Sequence, residues 1–252
     1  MSQAEIVKTR IISVVPTRAE APAPETITTF AWTTLPVTVV EEVELGQRLD
    51  PRLVTLSAPG SAQARSYRLL KHRACAKSDP RVIAVTSAEA GEGKTTCAAN
   101  LALVLSEESL SRVLLIDANL ARPGLAQLFA FEPADSFMTK LLRSEDAAPP
   151  YAVASIGGAR LQLAAIHPLM AQGKRIDRAL LSEALRELRS TYDYIVIDTA
   201  SVLESADVNN VCQCSDGVIV TARAGKSRKR SLARAIDQLQ PATVIGVVLI
   251  DT

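Results

Sequence analysis

The segment Ser87-Ala-Glu-Ala-Gly-Glu-Gly-Lys-Thr-Thr96 decides the fold of this 252-residue chain. It fits the pattern G-x-x-x-x-G-K-[ST] except at the first position, where Ala88 replaces glycine. A buried-strand pattern, Arg81 to Thr86, comes before it, and a helix-like stretch, Lys94 to Leu105, comes after it. A strand, a glycine-containing loop and a helix in this order are the context in which the pattern binds phosphate. The sequence therefore predicts a phosphate-binding loop (P-loop) here.

The residue types in this loop suit a nucleotide phosphate. Gly91 and Gly93 allow backbone N–H groups to turn inward around phosphate oxygens. Lys94 brings a cation to the β- and γ-phosphates, the helix N-terminus adds its dipole, and the Thr95 hydroxyl can bind Mg²⁺. The alternative, a glycine-containing turn with no ligand, leaves the Lys-Thr-Thr sequence unexplained. We expect ATP to contact eight consecutive residues, namely Glu89, Ala90, Gly91, Glu92, Gly93, Lys94, Thr95 and Thr96.

Two further apolar runs each end on a carboxylate. Asp117 follows Val113-Leu-Leu-Ile116, and Asp198 follows Tyr194-Ile-Val-Ile197. An aspartate at a strand end is more often a cap or turn residue when it is considered alone. Beside a P-loop, two carboxylates supply the hard oxygen ligands that Mg²⁺ requires. We predict Thr95, Asp117 and Asp198 as metal ligands, and Lys94, Asp117 and Asp198 as the catalytic residues.

Strand and helix patterns alternate along the rest of the chain. Continuous Val, Ile and Leu runs indicate strands that are covered on both faces. Helices between such strands imply right-handed crossovers. The sequence thus predicts an α/β fold of P-loop NTPase type, a doubly wound, mostly parallel sheet with helices on both faces. The predicted strands are residues 81–86, 112–117, 161–165, 194–198, 217–222 and 243–250, and the predicted helices are residues 62–76, 94–105, 176–189, 203–213 and 227–239.

Composition divides the chain into two parts, and its balance of charge argues against a nucleic-acid partner. Residues 1–60 are rich in Ala, Pro, Thr and Glu, which predicts a flexible N-terminal arm before a nucleotide-binding domain at residues 61–252. The 48% hydrophobic content supports a sizeable core in that domain. The 28 basic and 27 acidic residues nearly cancel, so no global field favours nucleic acid.

The cysteines and the hydropathy pattern indicate a reduced, cytoplasmic protein. Cys212 and Cys214 are too close for the common zinc spacing, so we interpret the four cysteines as reduced, small apolar side chains. The apolar run Ile11 to Val15 is too short for a signal-peptide core. No apolar stretch approaches the roughly 20 residues of a spanning helix. The prediction is therefore a cytoplasmic chain that does not itself span the membrane.

Three motifs together resemble the bacterial tyrosine kinase (BY-kinase) family, which is related to the MinD/ParA ATPases. They are Val85-Thr-Ser-Ala-Glu-Ala-Gly-Glu-Gly-Lys-Thr95, Val113-Leu-Leu-Ile-Asp-Ala-Asn-Leu-Ala-Arg-Pro123 and Tyr192-Asp-Tyr-Ile-Val-Ile-Asp-Thr199. The resemblance implies ATP and Mg²⁺ at Gly91 to Thr96, with Asp117 as the Walker A′ and Asp198 as the Walker B carboxylate. It also implies activation by the cytoplasmic tail of a membrane polysaccharide co-polymerase. Such a partner would recruit the chain to the inner face of the plasma membrane for exopolysaccharide or capsule production.

The chain departs from the family at the catalytic motif. Asn119 replaces the second Walker A′ aspartate, and Ala121 replaces the first arginine of the Arg-Arg-Pro that follows. Ile250 stands where the family has an asparagine that contacts adenine. No tyrosine-rich tail occurs before Thr252. These replacements favour ATP binding with weakened phosphoryl transfer.

The family's ring-forming helix motif is also altered. Arg65 stands where the family has a glutamate, so a self-ring would bring like charges together. We therefore expect a monomer, a dimer or a mixed assembly with a partner. The basic run Lys226-Ser-Arg-Lys-Arg230 is either a solvated helix start or a contact for an acidic partner tail or anionic lipid headgroups.

Three functions remain open at this stage. The first is an active protein-tyrosine kinase, and the second is an ATP-binding regulatory subunit of a polysaccharide co-polymerase. The third is a MinD/ParA-type positioning ATPase, a class that carries a second lysine five residues before the main one. Glu89 occupies that position, which disfavours the third function. The core motifs favour the kinase, which we place first, and the replacements at Asn119 and Ala121 favour the regulator as the alternative.

Overall fold

The computed structural model describes residues 8–12, 37–44, 49–107, 111–131, 133, 151–157, 160–171 and 173–251. Within these ranges the strands are β1 (Lys8–Ile12), β2 (Val37–Val43), β3 (Val82–Ser87), β4 (Val113–Asp117), β5 (Tyr151–Ile156), β6 (Leu161–Ala164), β7 (Tyr194–Ser201), β8 (Gly217–Arg223) and β9 (Val244–Asp251). The helices are α1 (Val54–Ser57), α2 (Ala62–Ser78), α3 (Lys94–Ser106), α4 (Leu125–Phe129), α5 (Pro168–Ala171), α6 (Arg178–Leu188), α7 (Asp207–Gln213) and α8 (Lys229–Gln238).

The described strands form one sheet in the order β1-β9-β8-β3-β7-β4-β6-β5-β2. From β9 to β6 every neighbouring pair is parallel, whereas β5 runs antiparallel to β6 and β1 runs antiparallel to β9. The central strands β3 and β4 are buried along their whole length, as their continuous apolar sequences predict. The prediction of a doubly wound, mostly parallel sheet is therefore confirmed.

Helices cover the sheet on both faces and create two apolar clusters. Leu70 of α2, Leu101 of α3 and Leu125 of α4 belong to one cluster. The other cluster contains Leu181 of α6 and Val211 of α7. Burying one such leucine side chain stabilises a fold by about 1.5–3 kcal/mol, so the two clusters hold the sheet between its helices.

The first 60 residues differ from the prediction of one flexible arm. Residues 8–12 form β1, which pairs with β9, and residues 37–43 form β2, which pairs with β5. The β-branched sequence Val-Thr-Val-Val at the start of β2 has the residue types that favour strands, but its Ala- and Pro-rich surroundings obscured that signal. The prediction is corrected for these segments and for α1. Residues 1–7, 13–36 and 45–48 of the predicted arm lie outside the described residues.

Most other elements lie within a few residues of their predicted positions, and three helices begin later than expected, among them the predicted helix at 227–239, which starts at Lys229. The predicted helix at 203–213 starts only at Asp207, because the N–H groups of Glu204 and Ser205 bond to the Ser201 carbonyl in a tight turn. The predicted helix at 176–189 starts at Arg178, where the Asp177 carboxylate caps the first turn. Among the described residues, no helix has both the length and the apolar character needed to cross a bilayer.

Sheet order places three strand ends side by side. The strands β3, β7 and β4 are consecutive neighbours, and all three are parallel. In their register Asp198 of β7 lies opposite both Val85 of β3 and Asp117 of β4. Ligands of such sheets bind beyond the carboxyl ends of the strands, so the P-loop and both carboxylates meet at the expected edge.

Candidate functional site

The loop between β3 and α3 is shaped by two glycines with positive φ. Gly91 has φ of 75° and Gly93 has φ of 82°, a region that residues with a side chain rarely adopt. A Cβ atom at Gly93 would also overlap the Ile250 side chain, which packs on the loop from the end of β9. Within the loop, the Ser87 hydroxyl donates to the Glu89 carbonyl at 2.6 Å. These contacts fix the backbone path that leads into α3.

Lys94, the first residue of α3, lies at the base of this loop. Its side chain is only 7% exposed, and its ammonium donates a hydrogen bond of 3.1 Å to the Ser201 hydroxyl. Burial lowers the pKa of Lys94, while the nearby carboxylates of Asp198 and Glu204 act in the opposite direction. A partly desolvated ammonium with one neutral hydrogen-bond partner is well placed to receive an anion.

Thr95 and Asp198 form a direct contact at the end of β7. The Thr95 hydroxyl donates to the Asp198 Oδ2 atom at 2.6 Å. Asp198 is fully buried, and its Oδ1 atom has no hydrogen-bond partner among the described residues. Burial, and then the neighbouring charge of Asp117, raise the pKa of Asp198 well above its usual value. An unpaired, fully buried carboxylate oxygen is rare in folded proteins and marks a place where a cation or water is needed.

Asp117 lies beside Asp198 on the next strand, but its oxygens are already used. Its Oδ1 atom accepts the Asn119 N–H at 3.1 Å, and its Oδ2 atom accepts those of Gly124 and Leu125 at 2.8 and 3.0 Å. Burial nevertheless raises the pKa of Asp117 to about 6. The three backbone bonds make Asp117 the anchor of the turn between β4 and α4.

Asn119 also has a local structural contact. Its side-chain oxygen accepts the Arg122 N–H at 3.3 Å, and only 8% of the residue is exposed. The amide therefore stabilises the turn that carries Ala121 and Arg122, and it contributes no charge to the site. The replacement noted in the sequence thus leaves Asp117 and Asp198 as the buried carboxylates that end neighbouring strands at this edge of the sheet.

The donor set fits a hard cation that retains much of its water. The part of the chain that the structure describes contains no group of three or more His, Cys, Asp or Glu side chains that could enclose a metal. Thr95 and Asp198 offer a hydroxyl and an unpaired carboxylate oxygen instead. Mg²⁺ commonly binds through one or two protein oxygens together with waters and substrate phosphates. These residues could therefore hold Mg²⁺ in the presence of a nucleotide.

A cavity of about 460 Å³ opens in front of the loop, within the size range of small-molecule sites. Its base contains Ala90, Gly91, Gly93, Lys94, Thr95 and Thr96. Three arginines from separate parts of the chain, Arg52, Arg122 and Arg223, line its remaining walls together with Glu204 and Ile250. This arrangement suits a ligand that carries several negative charges at one end.

Some predicted contact residues do not reach the cavity, and some lining residues were not predicted. Glu89 and Glu92 are absent from the lining, and the Glu92 side chain is buried against Ser227 instead. Arg52 belongs to the region that the composition assigned to the arm, so nothing in the sequence linked it to the loop. Ser201 follows the Walker B motif, but only the fold reveals its bond to Lys94.

The cysteines and Arg65, which the sequence also pointed out, make contacts that have no direct part in the cavity. Cys97 and Cys212 are buried, Cys75 and Cys214 are partly buried, and all four are free thiols. The Arg65 side chain donates to the Gly60 carbonyl at 2.6 Å, a contact within its own chain.

Comparison with known proteins gives consistent matches. The AAA domain family matches residues 80–242. The tyrosine-protein kinase YwqD of Bacillus subtilis is 27% identical over 198 residues, which is 77% of this chain and 82% of that protein. The succinoglycan biosynthesis transport protein ExoP of Rhizobium meliloti is 29% identical over 211 residues, or 78% of this chain, but this chain spans only 26% of ExoP. The crystal structure of the VpsO kinase domain is 28% identical, covers 74% of this chain and 97% of that domain, and has a TM-score of 0.59.

Proposed function

Because this chain belongs to the AAA domain family, we propose that it is an ATP-binding phosphotransferase of the bacterial tyrosine kinase type that acts in exopolysaccharide or capsule production. The observation that carries this proposal is the site itself. Lys94 is buried at the base of the cavity, and beside it the Thr95 hydroxyl meets Asp198, whose second oxygen is unpaired. The likeness to YwqD and ExoP supports the kinase activity and the polysaccharide context.

In this proposal the chain's own groups bind and orient the triphosphate. Backbone N–H groups around Gly91 and Gly93 cradle the phosphate oxygens, and the Lys94 ammonium neutralises charge on the terminal phosphates. Phosphate binding would replace the weak Ser201 contact of Lys94 with charge-assisted hydrogen bonds. Thr95 and Asp198 would hold Mg²⁺, which when bound offsets the negative charge of the phosphates. Asp117 keeps the segment from Asn119 to Leu125 in place beside them.

One observation favours a second candidate, a regulatory subunit with weak phosphoryl transfer. The position of the second Walker A′ carboxylate holds Asn119, whose oxygen bonds to the Arg122 N–H. Ala121, which lines the cavity, stands at the position where the resemblance to the tyrosine kinases implies an arginine. ATP binding depends on the loop, Lys94 and Thr95, which are intact, so the regulator would still respond to ATP. Glu89 in place of a second lysine makes the positioning ATPase the weakest of the three functions.

The partner and the location follow as parts of the same proposal. We infer that the chain works at the cytoplasmic face of the plasma membrane, where the cytoplasmic tail of a membrane polysaccharide co-polymerase recruits and activates it, in a homo- or hetero-oligomer. The likeness to ExoP, a biosynthesis transport protein far longer than this chain, supports such a coupling.

A labelled-nucleotide experiment separates the candidates. Purified chain is incubated with Mg²⁺ and γ-labelled ATP, with and without the cytoplasmic tail of a candidate co-polymerase, and the Lys94→Met variant serves as the control. Label on tyrosine that requires Lys94 supports the kinase. ATP binding without phosphoryl transfer supports the regulator. No binding of ATP to the folded wild-type chain contradicts both.

A further inference from the structure

A buried carboxylate inside the phosphate-binding loop has no place in the proposed chemistry. Glu92 is only 1% exposed and does not line the cavity. Its Oε2 atom accepts the Glu89 N–H at 2.9 Å, and its Oε1 atom accepts the hydroxyl of Ser227. A buried carboxylate is tolerated only when it is well hydrogen-bonded, so both contacts matter for this loop.

Ser227 lies far away in sequence, in the segment between β8 and α8. Its hydroxyl oxygen accepts the Arg223 N–H at 2.7 Å, and its own N–H donates to the Arg223 carbonyl at 2.9 Å. The Ser227 hydroxyl thus accepts one hydrogen bond from Arg223 and donates its proton to Glu92. A continuous chain of hydrogen bonds therefore runs from the end of β8 through Ser227 and Glu92 to the Glu89 backbone.

A neighbouring residue packs against the same part of the loop. The Lys226 ammonium lies 3.4 Å from the Ala90 carbonyl oxygen. A Cβ atom at Gly91 would lie only 2.7 Å from that ammonium nitrogen, so the two segments are in close contact. Lys226 and Ser227 both belong to the basic run Lys226 to Arg230, whose role the sequence does not decide. The segment after β8 thus supports the P-loop at two points.

We propose that Ser227 and Glu92 are positioning residues which hold the P-loop in its phosphate-binding conformation before ATP arrives. The inference rests on the proposed ATP binding at this site. Neither side chain lines the cavity, and the hydrogen bonds of Glu92 and Ser227 connect them to each other and to the backbone of the two segments. A hydrogen bond to a charged group contributes enough to change a binding constant by roughly 10- to 100-fold. Because the loop can partly adjust after the hydrogen bond is lost, we expect the loss of ATP affinity to lie near the lower end of that range.

The test compares Ser227→Ala with two matched variants. Ser227→Thr retains the hydroxyl, and Ser215→Ala removes a hydroxyl that bonds to the Val211 carbonyl at 2.8 Å before the other end of β8. ATP affinity is measured by calorimetry, and amide hydrogen exchange of residues 88–93 is measured without nucleotide. We expect Ser227→Ala to bind ATP about tenfold more weakly and to exchange faster in the loop. Ser227→Thr should restore both properties, and Ser215→Ala should change neither.

The outcomes separate this inference from the proposed function. Wild-type affinity in Ser227→Ala, or a loss that Ser227→Thr does not restore, overturns the positioning role. Equal effects of Ser215→Ala would mean that general loosening of the fold is responsible, which also overturns it. If the wild-type chain binds no ATP, the proposed function fails, and loop exchange still decides whether Ser227 positions the loop. Glu92→Gln, which keeps the side-chain volume, should weaken ATP binding in the same direction and checks the other half of the pair.

Discussion

The buried pair of carboxylates leads to a pH dependence of stability that can be calculated. Asp117 is fully buried beside Asp198, and burial raises its pKa from 3.8 to about 6. Because the folded state binds this proton more tightly than the unfolded state, the stabilising contribution is complete below pH 3.8. It is lost as the pH rises through 6. Removing the proton from Asp117 should therefore destabilise the chain in the absence of metal and nucleotide.

The magnitude follows from the difference between the two pKa values. At about 1.4 kcal/mol for each pKa unit, the full effect corresponds to roughly 3 kcal/mol. At pH 4.5 the unfolded chain has already lost most of the Asp117 proton, so part of the effect lies below this pH. Between pH 4.5 and 7.5 the contribution of Asp117 to the free energy of unfolding therefore falls by about 2 kcal/mol. Asp198, whose pKa is also raised, acts in the same direction, and Asp50 and Asp216, whose pKa values are lowered, act in the opposite direction, so the wild-type curve alone does not isolate Asp117.

The Asp117→Asn variant supplies the comparison. Its amide keeps an oxygen for the Gly124 and Leu125 N–H groups but does not titrate. Urea unfolding of both proteins with EDTA, from pH 4.5 to 7.5, should show the wild type losing about 2 kcal/mol relative to the variant. A constant offset between the two stability curves across this range would refute the reasoning, because it would mean that Asp117 stays ionised in the folded protein throughout.

Three further predictions concern single positions. Asn119→Asp should raise ATP turnover about 10- to 1,000-fold with little change in ATP affinity. The reason is that one charge about 4 Å from a phosphate or metal is worth up to roughly 4 kcal/mol. Steady-state ATP hydrolysis no faster than that of the wild type would contradict this prediction. Gly93→Ala should lower the free energy of unfolding by somewhat more than the roughly 1–2 kcal/mol expected for Gly173→Ala, since both have positive φ but only the first must also displace the tip of the Ile250 side chain. Equal losses in urea unfolding would contradict that contact. Light scattering at physiological salt should give a monomer or dimer because of Arg65, and a stable homo-octamer would count against the charge argument.

Sequence reasoning succeeded where the signal is local. The central strands and the segment from Ser87 to Thr96 are specified by contiguous residues, so their type and order could be read directly. The edge strands β1 and β2 were missed because their stability depends on pairing with β9 and β5, which lie more than 100 residues away. A short strand at a sheet edge has no continuous apolar run to identify it.

The candidate site was likewise predictable only where its residues belong to a local sequence motif. Lys94 and Thr95 follow from the motif, and the strand order explains why Asp117 and Asp198 become neighbours. The bonds of Ser201 to Lys94 and of Ser227 to Glu92 join residues 107 and 135 positions apart, so no motif contains them. Side chains that support a loop from a distant segment become visible only once the sheet brings the segments together.

Calorimetric titration of ATP with Mg²⁺ tests the central claim most directly. The wild-type chain should bind ATP, and Lys94→Met should abolish binding while keeping the wild-type circular dichroism spectrum, because Lys94 is the buried cation at the base of the cavity. Lys229→Met, on an exposed lysine in the first turn of α8, serves as the matched control and should bind as the wild type does. Unchanged ATP affinity in a folded Lys94→Met variant would contradict the assignment of this site.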